Sequence, residues 1–389
     1  MTSATLATVR LLRLHLLPLA VVLASLAVFG SFLWREVPKS HDGTAPEDFP
    51  NYYFAGRRVL EGRPVYGEIG DEVQRALGWE GYRAYPADPP ATVVLLAPLS
   101  LLPYRLAWWS LALVSVTLIA GVTALTAREV GFSWWVAAAV GALALASNPA
   151  RFLLARNHME SLILLAGFLG WLAWRRGRDR RLGAWWGMAA ALKLFPAMWL
   201  VGLAGARPRA LAWGIVTATS ATLIGAAVVG LDGVATFIGE VIPQSRRWYG
   251  TAGNYSFLSV GTALGGPWLG WMLAAAGALW LVPAYLRKAH GSDLVWVAGT
   301  AAALLLSPLS WLNYLVLAFP GLVILARHLD LGRPSERWML AGLALGLAWW
   351  PETVRLGALV PTVLASSLPT AALVAMFWLA VHHLPQVQD

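Results

Sequence analysis

Uninterrupted apolar runs of roughly 20 residues recur along this chain, and about that length of α-helix is needed to cross a ~30 Å hydrocarbon core. The first runs from Leu14 to Trp34, and others follow at about 104–127, 133–148, 158–174, 183–204, 209–230, 268–286, 293–306, 308–327, 337–350 and 357–381. Hydrophobicity within them is continuous, whereas a membrane β-barrel would show short alternating segments. The pattern predicts an all-α polytopic membrane protein with roughly ten to twelve transmembrane helices. Leu14–Trp34 is too long for a signal-peptide core and ends without a small-residue cleavage site, so it reads as a retained helix.

The distribution of charge orients the helices. The chain is 58% hydrophobic and 13% charged, with a net charge of +9. Its arginine clusters sit between apolar runs, which fits cytoplasmic loops and excludes a nucleic-acid-binding reading. Arg175-Arg176-Gly177-Arg178-Asp179-Arg180-Arg181 is the strongest such marker. Counting back from it places residues 35–103 outside and the N-terminus, with Arg10 and Arg13, inside. Arg207-Pro208-Arg209 also looks cytoplasmic, yet a single crossing at 183–204 would put it outside. Either residues 183–206 cross once, or they form a hairpin of two half-helices turning at Lys193-Leu194-Phe195-Pro196. Both remain open. The chain has no cysteine, so disulfides and thiolate metal sites are excluded.

The segment 35–103 is the polar exception, with ten of the chain's 20 acidic residues. Gly and Pro punctuate it, predicting turns and short helices. Its last apolar run, Ala91 to Leu102, is too short to cross and is expected to lie in the interface or re-enter. A second external stretch at about 231–266 carries Arg246, Arg247 and Asn254. The organisation expected is one integral-membrane domain over 1–389, with 35–103 as an external loop.

The predicted topology brings several polar groups to the outer face: Asp48; Arg151, Arg156, His158 and Glu160; Arg246 and Arg247; and Asn254. Ionisable residues at membrane depth are costly and point to function by default. A carboxylate beside arginines and aromatics suits transfer from a lipid-linked phosphodiester. The carboxylate takes a proton, cations hold the departing phosphate, and rings such as Tyr52 and Tyr53 face a sugar. Simpler roles stand beside these. Asp48 could cap the helix before Tyr52, His158 and Glu160 could serve a helix start after Pro149, and Arg246 and Arg247 could snorkel to headgroups. Lys193, alone in an apolar run, fits a structural ion pair as well as a ligand contact. Soluble-enzyme motifs such as Gly-x-Ser-x-Gly, His-Glu-x-x-His and Gly-x-x-x-x-Gly-Lys are absent. No span leaves room for a nucleotide-binding Rossmann domain, which favours a lipid-borne donor.

An ordered series of short motifs carries a family resemblance. It comprises Asp48-Phe49 with Tyr52-Tyr53 and Ala55-Gly56, Leu60-x-Gly62, Tyr66, Tyr85-Pro86 with Pro89-Pro90, and Pro98-Leu99 with Leu102-Pro103. Asn157-His158-Met159-Glu160, Lys193-Leu194-Phe195-Pro196, Asn254-Tyr255-Ser256 and Ser307-Pro308-Leu309-Ser310-Trp311-Leu312-Asn313-Tyr314 continue it. The series resembles glycosyltransferase family 87, bacterial polyprenyl-phosphate-mannose-dependent mannosyltransferases of the C-type membrane fold. Three departures stand out: the family commonly has Gly-Gln-x-Asn at 157–160, fewer residues in the Tyr-Pro-Pro region that here includes Asp88, and often His at 313.

The resemblance implies an inverting hexosyltransferase, a mannosyltransferase in the first instance, with a polyprenyl-phosphate sugar as donor substrate. The acceptor would be a lipid or glycan hydroxyl at the outer face of the bacterial cytoplasmic membrane, within cell-envelope lipid glycosylation. It makes Asp48 the general base and puts Lys193 and Asn254 around the donor phosphate or sugar. The remaining substrate-contact candidates are Tyr52, Tyr53, Arg156, His158, Glu160, Arg246, Arg247, Trp311 and Asn313. No cofactor, no metal and no nucleic-acid partner are expected, and a monomer is. Two other readings stay open: a polyprenyl-phosphate pentose (arabinofuranose) transferase, and a lipid or solute transporter without chemistry.

Overall fold

The computed structural model describes residues 3–41, 48–288, 292–349 and 362–383. The start of the expected span at 357–381, and part of the 35–103 loop (42–47), lie outside the described residues. Among the described residues the secondary structure is helical, with one isolated bridge between Asn254 and Trp311.

Helix α1 (Ser3–His41) leads to the polar loop, whose helices are α2 (Phe49–Leu60), α3 (Gly70–Leu77) and α4 (Pro90–Leu96). A 3-10 turn over Ala97–Leu101 extends α4, so the apolar stretch ends after about three turns, the length expected of a re-entrant or interfacial segment. α2 lies directly on that turn. A Cβ on Gly56 would come within 2.8 Å of the Ala97 backbone, which is why a glycine stands there. Arg58 pins the intervening loop, binding Glu72 at 3.1 Å and the Glu68 carbonyl at 2.7 Å.

From α5 (Tyr104–Glu129) onward the helices run back and forth between two faces. α6 (Trp134–Ala146) bends by 56° into α7 (Asn148–Arg156), where Pro149 begins the second segment and Ser147 caps it. α8 (Glu160–Arg175) returns to the face bearing Arg175–Arg181, and α9 (Asp179–Leu192) leaves it again. Short α10 (Ala197–Val201) and α11 (Leu203–Ala206) follow, then α12 (Pro208–Thr236), broken at Gly230 (φ 78°). The rest comprises α13 (Phe257–Gly265), α14 (Pro267–Lys288), α15 (Leu294–Leu306), α16 (Phe319–His328), α17 (Pro334–Ala344) and α18 (Thr362–Trp378). Among the described residues, four helical stretches are long and apolar enough to span a membrane alone, a fifth if α6 and α7 count as one, and shorter apolar helices accompany them.

The ambiguity at 183–206 is resolved. Arg207 lies beside the start of α9, its guanidinium 3.0 Å from Asp179 and 3.1 Å from the Trp174 carbonyl. The chain therefore leaves the arginine-rich face along α9, turns at Lys193–Pro196 and comes back through α10 and α11. α12 then runs alongside α9 at backbone contact: a Cβ on Gly187 would sit 2.3 Å from the Gly214 carbonyl oxygen. The hairpin puts Lys193 at its tip and Arg207 and Arg209 on the same face as Arg175–Arg181. There Arg175 pairs with Asp293 at 3.5 Å and Arg176 with Glu129 at 3.1 Å. The site lies at the opposite face.

Candidate active site

Local sequence chemistry builds the turn that organises the site. α7 ends at Asn157, whose φ of 52° is left-handed, a conformation asparagine tolerates better than most side chains. The Asn157 and His158 amides donate to Leu154 and Leu153 at 3.2 and 3.0 Å, closing the helix end in a Schellman-type turn. The Asn157 amide side chain is buried and donates to the Trp108 carbonyl at 2.8 Å, anchoring the turn to α5. Arg156 and His158 consequently flank one tight reversal and point at the same carboxylate.

That carboxylate is Asp48. One oxygen, Oδ2, receives His158 Nε2 at 2.8 Å and Arg156 Nη1 at 3.1 Å, and its backbone amide donates to the Arg156 carbonyl at 3.3 Å. The capping role is ruled out, because Asp48 precedes α2 without a side-chain hydrogen bond to it. Its side chain is 31% exposed, and Oδ1 has no hydrogen-bond partner among the described residues. Burial pushes the Asp48 carboxyl up, but the His158 ring and the Arg156 guanidinium outweigh it and hold the group well below the usual carboxylate range. Asp48 is thus an ionised carboxylate with one oxygen pinned and one open.

Behind it lies a closed cluster. His158 Nδ1 faces the Tyr52 hydroxyl at 3.1 Å and Glu160 Oε2 at 3.7 Å. Burial, with Asp88 nearby, raises the Tyr52 hydroxyl well above the ordinary tyrosine range, keeping it a donor. Glu160 is fully buried, and Lys193 donates to its Oε1 at 2.5 Å and to the Tyr314 hydroxyl at 3.0 Å. Asp88 stands 3.7 Å from the same ammonium, and burial raises its carboxyl despite the pull of Lys193. Asn313 is buried with its amide turned toward Glu160, too loosely for a well-formed hydrogen bond. Positions 158 and 313, two of the departures noted in the sequence, therefore meet at Glu160.

Of the candidates named from the sequence, Asp48, Tyr52, Arg156, His158, Glu160, Lys193 and Asn313 come together. The others sit elsewhere. Tyr53 donates to the Leu102 carbonyl at 2.9 Å and packs on Tyr104. Asn254 is buried and binds backbone: it donates to Pro308 at 3.1 Å and accepts from Ser310 at 2.9 Å, tying its loop to Trp311. Trp311 packs edge-on against Trp248. Arg151 bonds to Asn148 within α7. Arg246 and Arg247 are exposed, and Arg247 lies 6.0 Å from the Tyr85 ring, linking the two polar segments of this face. Two members of the cluster were not among the candidates. Asp88 was visible only as an extra acid between prolines, and Tyr314 only as the residue after Asn313. Among the described residues, no three His, Asp or Glu side chains converge as a metal site.

An apolar groove of about 190 Å³ runs beside the centre, between α1, α5 and α7. Phe29, Phe32, Trp108, Leu113, Leu154 and Ala155 are among its lining residues, and the residue after Ala155 is Arg156.

The profile of glycosyltransferase family 87 matches residues 87–308, more than half of the chain. No curated protein and no solved structure matches it.

Proposed function

Because the chain belongs to glycosyltransferase family 87, and is therefore a membrane glycosyltransferase, we propose that it moves a single sugar from a polyprenyl-phosphate donor to a lipid or glycan hydroxyl, with Asp48 as the general base. The observation that carries this reading is the asymmetry of Asp48: Oδ2 is held by Arg156 and His158, while Oδ1 has no partner among the described residues, at a partly exposed position. A fixed carboxylate with one free oxygen suits proton removal from an incoming hydroxyl.

The acceptor oxygen attacks the anomeric carbon as its proton passes to Oδ1. The bond from that carbon to the phosphate oxygen breaks, and polyprenyl phosphate leaves as a monoester. Arg156, beside Asp48, would hold the departing charge, and the apolar groove between α1, α5 and α7 suits an isoprenoid chain. Lys193 is placed differently from a phosphate ligand, since Glu160, Tyr314 and Asp88 already surround its ammonium. Its role in this reading is to build the wall behind Asp48. One displacement inverts the anomeric centre, so a β-linked donor gives an α-linked product. Mannose is the sugar proposed. The site faces outward from a bacterial cytoplasmic membrane, with Arg175–Arg181 and the N-terminus inside, and the whole chain acts as one integral-membrane unit.

The test is incubation of purified protein with labelled polyprenyl-phosphate mannose and a membrane lipid extract. Label is expected in an acceptor fraction sensitive to α-mannosidase. Absence of transfer from this donor, with transfer from the arabinofuranose analogue, would reassign the sugar. Transfer with retained configuration would remove the single-displacement mechanism.

A further inference from the structure

Asp48 is held ionised by an arginine and a histidine acting on a single oxygen, and a carboxylate held by two full positive charges is a poor proton acceptor. Arg156 cannot lose its charge. His158 can. Its Nε2 lies 2.8 Å from Asp48 Oδ2, and an ionised carboxylate only accepts hydrogen bonds, so Nε2 carries the proton. The protonation of the ring is therefore decided at Nδ1. There the Tyr52 hydroxyl stands at 3.1 Å and the partnerless Oε2 of fully buried Glu160 at 3.7 Å. With Nδ1 bare, the ring is neutral and Tyr52 donates to it. With Nδ1 protonated, the ring becomes an imidazolium bridging two carboxylates. The other charged groups around it are Arg156 on α7, Lys193 at the hairpin tip and Asp88 before α4.

We infer that His158 is the positioning residue whose charge sets the basicity of Asp48: the neutral Nε2–H ring orients the carboxylate for proton removal, and the imidazolium suppresses it. The inference rests on Asp48 being the base. The neutral ring gives Oδ2 one hydrogen bond, charge-assisted by the carboxylate alone, and leaves Arg156 as the sole full positive charge. The imidazolium adds a second full positive charge at contact distance, which favours the ionised carboxylate and lowers its basicity. Glu160 enters as the counter-charge that faces the protonated Nδ1 and stays ionised, which gives its open oxygen a use. Transfer should then rise with pH along a limb belonging to His158.

The experiment compares pH–rate profiles of wild type, His158→Gln, Glu160→Gln and Asp48→Asn, using labelled polyprenyl-phosphate mannose. His158→Gln should lose the limb and plateau about tenfold lower, the rate equivalent of one charge-assisted hydrogen bond. Glu160→Gln should move the limb to lower pH, because an anion that favours the imidazolium is gone. An unchanged limb in His158→Gln overturns the inference while leaving Asp48 as base. Appreciable transfer by Asp48→Asn overturns the base assignment itself. A readout independent of turnover is the 15N spectrum of histidine-labelled protein, where the ring signal absent from His158→Gln identifies this residue among the seven histidines. It should report the Nε2–H tautomer above the limb and titrate with it. The opposite tautomer, or a ring that does not titrate across the limb, also overturns the inference.

Discussion

The site contains two carboxylate–cation centres a few ångströms apart, and they are built in opposite ways. At Asp48 both partners are partly exposed, 31% for the acid and 29% for Arg156, and one carboxylate oxygen is left open. At Glu160 the acid is fully buried, Lys193 is 11% exposed, and three oxygen-bearing side chains crowd one ammonium. The same residue types are arranged for access in one place and for saturation in the other. A buried charge must be matched or it destabilises the fold. A reacting carboxylate needs an oxygen that the fold does not consume. His158 joins the two centres, with one ring nitrogen on each.

The largest effect should come from removing the open centre. Asp48→Asn keeps shape and should lower transfer by at least about a hundredfold, the scale of a lost general base. The variant should stay folded and monodisperse with a somewhat lower melting temperature, because the interactions that hold Asp48 ionised stabilise the fold at neutral pH. Retention of a tenth of the activity would end the distinction between the two centres. The closed centre should respond in stability instead. Lys193→Met leaves Glu160 buried and uncompensated and should cost about 3–5 kcal/mol, read as loss of folded yield and a lower melting temperature. Adding Glu160→Gln to Lys193→Met should recover much of that loss. If Lys193→Met instead folds normally but binds donor poorly, Lys193 is a ligand and not part of the wall.

Arg156→Gln tests the boundary between the centres. It should reduce transfer about tenfold, as one charge-assisted contact to a partly exposed carboxylate is lost, with little change in melting. The smallest effect belongs to Asp88. Burial raises its carboxyl in the folded protein, so its contribution is fully favourable below the unfolded-state range and is lost as pH rises through the folded value. Asp88→Asn should therefore raise the melting temperature by about a degree or two near neutral pH and converge with wild type in acid. A variant less stable at neutral pH would make Asp88 a needed partner of Lys193.

The sequence was most legible where physics acts on whole segments. The helical class, the position of the polar loop and the arginine face all follow from run length and charge, and the structure keeps them. Arg207 was the point of friction, since its charge contradicted a single crossing. Its ion pair with Asp179 removes the contradiction by folding 183–206 into a hairpin. Individual site residues were less legible. Asn254 and Trp311 look like ligands in a motif, yet they hold two loops together through backbone hydrogen bonds and a bridge. Asp88 and Tyr314 carry no local signal of their role, because nothing local separates a buried acid or phenol from an exposed one.

Sequence alone settled that this chain is an all-α membrane protein and that Asp48 stands in a polar, aromatic loop between its apolar runs. Both follow from local terms, since the cost of exposing backbone in hydrocarbon and the cost of burying charge arise residue by residue. The tertiary structure decided what Asp48 touches. Arg156 and His158 reach it because a left-handed Asn157 reverses the chain more than a hundred residues further on, and Lys193 is ion-paired because a hairpin tip carries it to Glu160. Such pairings depend on how helices pack, which no local pattern encodes.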